Sequence, residues 1–314
     1  MIRYVVRRLL LFIPILLGII VIVQVLITIA PGDPARIAAG IEPQPGEYER
    51  LREEMGLDDP IFVQVWNFIS HVVRGDLGKS WFSGRVILDD ILMRWSYTVR
   101  LAVMSVTLSS LIGIPLGVFA ATHQYKISDN IAVLVSLIAV SMPAFWFALL
   151  LVRLFGVQLR LLPVSGINSV KGWIMPVVSL SLGFTASITR QMRSNMLEVV
   201  RQDFITTARA KGQTERKVLF KHALKNALIP VVQVIGGIFG MALGGALITE
   251  MIFAVPGLGM FSLAGLQGRD YPVVKGSVLF LSTLFCVIML LVDLAFAFID
   301  PRIRAQFARK RKAH

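Results

Sequence analysis

Few residues in this chain have both the type and the spacing that catalysis or ligand binding would need. The tripeptide Gly78-Lys79-Ser80 matches the end of a phosphate-binding loop, but such a loop also needs a glycine where this sequence has Val73. The 4 histidines are scattered without metal-ligand spacing, and no nucleophile elbow accompanies them. The sequence therefore predicts no catalytic residue, no metal site and no cofactor site.

Three charged residues lie inside long apolar runs, where a charge is costly and often functional: Arg153, Glu250 and Asp293. Arg153 lies late in its run, so its long side chain can extend toward the polar boundary. Asp293 is interpreted as a structural partner of a backbone or basic group. Glu250, beside Met251, is the better candidate for a residue that lines a pathway. A proton-coupled carrier would more often have acidic or histidine relays near the middle of its spans.

Composition indicates an integral membrane protein. The 314 residues are 55% hydrophobic and only 16% charged, too few polar groups to cover a soluble core of this size. The net charge of +13 comes from basic residues that flank apolar runs, which indicates contact with anionic membrane lipid and no nucleic acid. The single cysteine, Cys286, excludes an intramolecular disulfide.

Six apolar segments are long enough to cross a bilayer, so the predicted fold class is all-α and polytopic. These segments are residues 9–29, 99–122, 131–157, 173–189, 229–253 and 276–299. The first is longer than the apolar core of a cleavable signal peptide, about 7–15 residues, and is expected to stay as a membrane helix. Glycines spaced by four residues, Gly113 with Gly117 and Gly236 with Gly240 and Gly244, predict close helix packing.

The distribution of lysine and arginine predicts that the N-terminus and the C-terminus are both cytoplasmic. We expect a tail with the first helix over residues 1–30, and a net acidic extracytoplasmic cap over 31–97. A transmembrane core should follow over 98–300, with a basic cytoplasmic loop at 190–228 and a basic tail at 301–314.

Two segments of the cap have a helical pattern between glycines and prolines, Gly46–Gly56 and Pro60–Val73. A loop of this length is more than a simple connection. It either covers the ends of the membrane helices or contacts a protein that delivers a ligand, and the sequence leaves both roles open.

The stretch 198–230 is the most informative part of the sequence. It predicts a short helix through Ala208 that ends at Gly212, a residue suited to the left-handed end of a helix. Thr214 can cap a second short helix, with Glu215 near its positive end. A basic amphipathic hairpin on anionic lipid would explain the composition. A rigid helix–glycine–helix segment is also what a soluble motor would need in order to push on the spans.

This stretch resembles the EAA loop of ABC importer permeases, and more narrowly that of the peptide/nickel group. The residues that carry the resemblance are Thr207-Ala208-Arg209-Ala210-Lys211-Gly212 and then His222-Ala223-Leu224-Lys225-Asn226-Ala227-Leu228-Ile229-Pro230. Thr207 replaces the glutamate of the general pattern, which is usual for this group. Further similar segments include Pro31-Gly32-Asp33-Pro34, Glu250-Met251-Ile252-Phe253-Ala254-Val255-Pro256-Gly257 and Asp300-Pro301-Arg302.

The resemblance implies a B-type subunit with the type I ABC importer permease fold, in the inner membrane of a bacterium. Its implied partners are a sister permease in a heterodimer, two cytoplasmic ATPase subunits and an extracytoplasmic substrate-binding protein. Thr207 to Gly212 would form a coupling helix that docks on an ATPase, and this chain would hydrolyse no ATP itself. The implied cargo is a di- or oligopeptide, with nickel or glutathione as alternatives.

Two alternatives belong to other functional classes. A stand-alone, ion-coupled secondary transporter would carry substrate without partner proteins. A membrane scaffold would bind an ATPase without any flux of substrate. The specific loop and the sparse charge inside the apolar runs favour the importer.

Overall fold

The computed structural model describes residues 2–40 and 44–299, and this part of the chain is helical, with one isolated β-bridge between Lys79 and Val86 and no strand. The predicted tail at 301–314 lies outside the described residues. The α-helices are α1 (Ile2–Ile29), α2 (Pro34–Ala39), α3 (Glu47–Glu54), α4 (Ile61–Val73), α5 (Ile87–Thr122), α6 (Ile127–Ser141), α7 (Ala144–Leu151), α8 (Val170–Val200), α9 (Asp203–Ala210), α10 (Glu215–Lys217), α11 (Leu224–Phe253), α12 (Leu258–Gln267) and α13 (Tyr271–Ile299). Two π-helical segments, Val152–Gln158 and Val218–Ala223, extend α7 and α10.

Among the described residues, five helices are long and apolar enough to cross a membrane: α1, α5, α8, the helix that runs from α10 into α11, and α13. Two further pairs of helices meet at sharp bends, and the total rises to seven if each pair forms one span. The all-α, polytopic fold class is therefore confirmed, and the six predicted spans fall within this range.

The predicted third span, 131–157, is not one straight helix. The axes of α6 and α7 differ by 97° across the break between Ser141 and Ala144. Met142 has an extended backbone (φ −82°, ψ 120°), because a residue that precedes proline is disfavoured in the helical region. Pro143 then occupies the cap position of α7. The proline in the sequence thus marks a change of direction.

Several helices continue beyond their apolar runs. The structure begins α5 at Ile87 and ends α8 at Val200, whereas hydropathy placed the spans at 99–122 and 173–189. Pro230 lies inside α11, so the predicted second short helix is the beginning of a long one. Polar residues form helices as well as apolar ones do, so hydropathy locates the bilayer crossing and not the helix ends.

The chain divides into two compact units, of which the first contains residues 1–98 and 256–286. Its core includes a cluster of Ile87, Ile91, Leu258 and Val273. The structure confirms the two predicted helical segments of the cap as α3 and α4. It adds α2, which begins with Pro34 after an Asp33 side chain that accepts a hydrogen bond from the Ala35 N–H at 2.9 Å.

Asp33 also holds α3 in place. Its Oδ2 atom accepts hydrogen bonds from the Tyr48 hydroxyl at 2.6 Å and from Arg52 Nη1 at 2.7 Å. Burial by itself would raise the pKa of the Asp33 carboxyl. The hydrogen bonds from Tyr48, the Ala35 N–H and Arg52 outweigh this effect and hold that pKa below its ordinary value. The stabilisation from the Asp33 charge is therefore present above the unfolded-state pKa and is lost as the pH falls through the folded-state pKa.

We expect Asp33→Asn to lower stability by about 1 kcal/mol near pH 7, because asparagine keeps the cap but removes the charge that Arg52 faces. The difference from wild type should begin to shrink as the pH falls below about 4, where the carboxyl of the unfolded chain becomes protonated, and it should disappear only below the lower pKa of the folded state. Thermal unfolding of the detergent-purified chain, followed by tryptophan fluorescence at several pH values, measures this. A difference that stays constant down to pH 3 would contradict the electrostatic explanation.

The second unit contains residues 99–255 and 287–314. A Cβ atom placed on Gly113 or Gly117 would meet the backbone of α8, at 2.9 Å from the Thr185 oxygen or 2.6 Å from the Thr189 oxygen. Close packing is thereby confirmed for this pair. In the other glycine series, Gly236 packs on Val292, but Gly244 is exposed and no described atom lies within 4 Å of its Cβ position.

Candidate functional site

The predicted helix–glycine–helix segment is present as two helical arms joined by a tight turn, and we call residues 203–223 the elbow. The first arm, α9, ends where predicted. Gly212 has a left-handed backbone (φ +72°), and its N–H donates to the Arg209 oxygen at 2.9 Å. The Gln213 N–H donates to the Ala208 oxygen at 3.4 Å. These two bonds form the Schellman arrangement, which a glycine adopts without steric strain.

The second arm begins at Glu215. Thr214 occupies its cap position as predicted, but the threonine side chain makes no capping hydrogen bond. The two arms are joined instead by Arg209, whose Nε and Nη2 atoms donate to the two carboxylate oxygens of Glu215 at 3.0 and 2.6 Å. His222 Nε2 and Gln213 Oε1 lie 2.8 Å apart and add a second link. A forked guanidinium–carboxylate pair fixes orientation better than a single bond does.

Each arm of the elbow has one buried and one exposed face. Ile205 and Ala208 of the first arm are buried, as are Val218 and Ala223 of the second. The outer face carries five of the six residues predicted for coupling: Thr207, Arg209, Ala210, Lys211 and Gly212 are exposed. Ala208, the sixth, lies inside the elbow. A side chain there helps to shape the elbow and is not available to a partner surface.

The elbow continues from α8, and α8 is fixed to α6 by a buried ion pair. Arg193 Nε and Nη2 donate to the two Asp129 carboxylate oxygens at 2.6 and 2.7 Å. The Asp129 side chain is only 2% exposed and also accepts the Tyr125 N–H at 3.1 Å. Sequence reasoning missed this pair, because the two residues are 64 positions apart and neither belongs to a recognisable motif.

A polar contact also joins α8 to the beginning of α11. Asn195 Nδ2 donates to the Ala227 oxygen at 3.3 Å, and Asn195 Oδ1 accepts from Gln191 Nε2 at 3.0 Å. Further along, Ser109 Oγ of α5 donates to the Ser181 oxygen of α8 at 3.0 Å. With Gly117 packed on the same helix, α8 contacts four other helices of its unit, namely α5, α6, α7 and α11. A displacement of the elbow therefore acts directly on packed helices.

The two predicted pathway residues lie at the other end of α11 from the elbow. Glu250 is 26 residues beyond Leu224, about 40 Å along a helix axis. Glu250 is fully buried, whereas its neighbour Met251 is 49% exposed, so only the methionine faces outward. Here α11 ends at Phe253. The next residue, Ala254, has a left-handed backbone (φ 50°), and the Val255 N–H donates to the Glu250 oxygen at 2.8 Å.

The tripeptide Gly78-Lys79-Ser80, which matches the end of a phosphate-binding loop, has a structural role in the first unit. Ser80 Oγ donates to Asp270 Oδ2 at 2.5 Å, and Asp270 Oδ1 accepts the Trp81 N–H at 3.2 Å. Ser80 and Asp270 are both buried, and Lys79 is exposed. The serine hydroxyl thus bonds to a carboxylate within the fold.

Comparisons with known proteins agree with the resemblance in the loop. Residues 113–305 match the family described as "Binding-protein-dependent transport system inner membrane component", and residues 1–102 match its N-terminal counterpart. The glutathione transport system permease protein GsiC of Escherichia coli (strain K12) is 38% identical over 304 residues, 97% of this chain and 99% of that protein. GsiC of Salmonella typhi has the same identity and coverage.

Two solved structures share the fold at low sequence identity. An inward-facing structure of the MetNI methionine ABC transporter has a TM-score of 0.56 at 19% identity, and the match covers 67% of this chain and 96% of that one. An amino acid ABC transporter with histidines has a TM-score of 0.51 at 17% identity, covering 68% and 94%. This chain belongs to the binding-protein-dependent transport system inner membrane components, the multi-pass permease subunits of ABC importers.

Proposed function

We propose that this permease subunit carries a peptide-class solute into the cell as half of a heterodimer with a sister permease. Both chain ends and the elbow are cytoplasmic, and the cap (31–97) is extracytoplasmic and meets a substrate-binding protein. Two ATPase subunits hydrolyse ATP, and this chain hydrolyses none. The basic residues of the elbow and of the tail at 301–314 support this orientation, because basic loops favour the cytoplasmic side.

The geometry of the elbow is the observation that supports this proposal most strongly. Its outer face is formed by Thr207, Ala210 and their exposed neighbours, while the inner face packs on the second arm. Its shape is fixed at both ends of the turn, by Gly212 and by the Arg209–Glu215 pair. A surface element with a fixed shape transmits a push, whereas a flexible loop would absorb it.

In the proposed mechanism, the ATPases displace the elbow when they close on ATP. The displacement passes through Gln202 into α8, and from Arg193 to Asp129 on α6. The bent pair of α6 and α7 then changes its angle to the remaining helices. The two arrangements correspond to outward-open and inward-open states, and the ATPases shift the equilibrium by binding one state better than the other.

The choice of cargo rests on the relatives, which are named as glutathione permeases. Glutathione is a tripeptide, so it falls within the peptide class that the loop resemblance implies, and it is the first solute to test. Met251, exposed near the end of α11, and Glu250 beside it are proposed to lie along the route. Nickel and other short peptides remain the second choices.

The proposal is tested by isolating the tagged chain from its native membrane in a mild detergent and identifying its partners by mass. Two ATPase chains and a second permease should co-purify. The complex, reconstituted in liposomes, should then take up glutathione when ATP and the loaded binding protein are both present. Uptake by the chain alone, driven by an ion gradient, would instead support a secondary transporter.

Within this complex, Gly212→Pro should abolish coupling. Proline requires φ near −65° and lacks the N–H that Gly212 donates to Arg209, so the end of α9 cannot form, at a cost of about 3 kcal/mol. Uptake should fall more than about tenfold, since a loss of about 1.4 kcal/mol in docking already reduces the docked population tenfold. Membrane insertion should be normal, because the position is outside the bilayer.

Gly212→Asn is the matched control, because asparagine tolerates the left-handed backbone and keeps the N–H. It should retain most of the uptake and the stimulation of ATP hydrolysis by the loaded binding protein. Normal uptake by Gly212→Pro at wild-type expression would refute the coupling assignment.

A further inference from the structure

The first unit contains a cavity of about 190 Å³ that is lined by both polar and apolar side chains. It lies between the last turns of α1, which contribute Gln24 and Thr28, and the beginning of α13, which contributes Tyr271 and Lys275. The apolar span of α1 ends at Ile29, and that of α13 begins at Tyr271. The cavity is therefore at the level where the hydrocarbon ends and lipid headgroups begin, where tryptophan and tyrosine are common.

Lys275 brings a positive charge to this cavity, and no described residue forms an ion pair with it. Its Nζ atom carries three N–H groups. One donates to Gln24 Oε1 at 3.4 Å, and the ammonium lies 5.2 Å from the centre of the Phe68 ring. No carboxylate of the described residues forms an ion pair with it. Two of its donors are thus left for a group inside the cavity.

The neighbouring amides hold Lys275 in place, but they carry no charge that could neutralise its ammonium group. Gln24, which is 2% exposed, presents its oxygen to Lys275 and donates through Nε2 to Gln64 Oε1 at 2.6 Å. Gln64 in turn donates to the Asp59 backbone oxygen at 2.8 Å. Both amides in this series of hydrogen bonds donate away from Lys275. The positive charge of the Lys275 ammonium therefore remains at the end of the series that faces the cavity.

Among the described residues that line the cavity, Asp33 is the one carboxylate, and it is already engaged. Asp33 accepts hydrogen bonds from Arg52, from Tyr48 and from the Ala35 N–H. Arg52 also bonds to Asp58, so the cavity wall formed by these groups carries no excess positive charge. Within the described part of the cavity lining, the charge without an ion-pair partner is that of Lys275.

A second cation adjoins the same cavity. Arg269 Nη1 is buried and has no hydrogen-bond partner among the described residues. The guanidinium lies against Gly32, which lines the cavity, and it occupies the space where a Cβ atom of residue 32 would be. Two under-coordinated cationic donors next to one small cavity indicate an anionic ligand, because a buried unpaired charge is costly.

We propose that this cavity binds a single phosphate group, with Lys275 as its principal ligand, carried either by the headgroup of an anionic phospholipid or by a free solute. The proposal is independent of the coupling function of the elbow. The aromatic edge formed by Trp81 and Tyr271, whose ring centres are 5.7 Å apart, leaves an apolar wall beside the anion. A lipid headgroup would be held there with its glycerol against that wall.

The test uses the whole transporter that contains this chain, in nanodiscs. In the first arm, native mass spectrometry counts phosphatidylglycerol retained after exchange into phosphatidylcholine. In the second arm, inorganic phosphate is titrated at constant ionic strength into pure phosphatidylcholine nanodiscs, and thermal unfolding is followed. The variants are Lys275→Gln, which removes the charge, and Lys275→Arg, which keeps it. Arg74→Gln, at an exposed cation of the same unit, is the control.

The lipid source is supported if wild type, Lys275→Arg and Arg74→Gln all retain phosphatidylglycerol. Lys275→Gln should then retain it about tenfold more weakly. Stabilisation by inorganic phosphate with the same pattern, in the absence of lipid retention, would support a free solute. If the wild-type transporter responds in neither arm, the cavity holds solvent only and the proposal is wrong, whatever the variants do.

Discussion

Gly117→Ala is expected to destabilise the second unit by about 1–3 kcal/mol and to reduce uptake by the transporter. The new Cβ atom would lie 2.6 Å from the Thr189 backbone oxygen and 2.5 Å from the Met192 Cβ atom. Neither atom can turn aside, since both belong to the frame of α8, so α5 and α8 must move apart. Thermal unfolding of the purified transporter and the rate of glutathione uptake measure the two effects.

Gly183→Ala is the matched control for this substitution. Gly183 is also a helical glycine in α8, but no described atom lies within 4 Å of its Cβ position. Alanine should therefore be tolerated there, with a gain of up to about 1 kcal/mol from helix propensity. Equal destabilisation by the two substitutions would show that the contact between α5 and α8 is looser than the structure indicates.

Loss of the buried ion pair between Asp129 and Arg193 should strongly destabilise the second unit. Asp129→Ala leaves the Arg193 guanidinium, whose side chain is only 25% exposed, without its ion-pair partner, which costs about 3 kcal/mol. We expect a lower unfolding temperature and, in the protein that remains folded, ATP hydrolysis that no longer responds to the loaded binding protein. Both quantities are measured on the reconstituted transporter.

Two variants separate the ion pair from a general effect of lost side chains. Arg190 is a cation of the same helix, and it makes no ion pair with the described residues. Arg190→Ala should therefore leave the unfolding temperature and the response of ATP hydrolysis near their wild-type values. The exchange Asp129→Arg with Arg193→Asp should recover part of the loss, because it restores opposite charges at the same place. An exchange variant that behaves like the sum of its single substitutions would contradict the pairing.

The sequence is informative where a local rule determines the structure. Gly212 ends α9 because few other residues adopt its backbone, and Pro143 breaks α6 from α7 because the residue before proline avoids the helical region. The apolar runs locate the bilayer crossings because they too depend on a local property, the composition of one segment. The fold class and the position of the elbow could therefore be predicted.

What the sequence does not reveal depends on long-range pairing. Ser80 meets Asp270 across 190 positions, and Arg193 meets Asp129 across 64. No pattern within either segment indicates the partner, because the pairing is set by how the helices pack. The inward direction of Ala208 has the same origin, since only the position of the second arm determines which face of α9 is covered.

The π-helical segment at Val218–Ala223 gives the helix from Glu215 to Phe253 a place where its winding can change. A π-helical ring encloses one residue more than an α-helical ring. If that surplus residue moves along the helix, the residues that it passes rotate by about 100° relative to the rest of the helix, because each α-helical residue accounts for that angle. The chain could thus convert a push on the elbow into rotation of one segment of this helix, with the backbone hydrogen bonds exchanged one at a time.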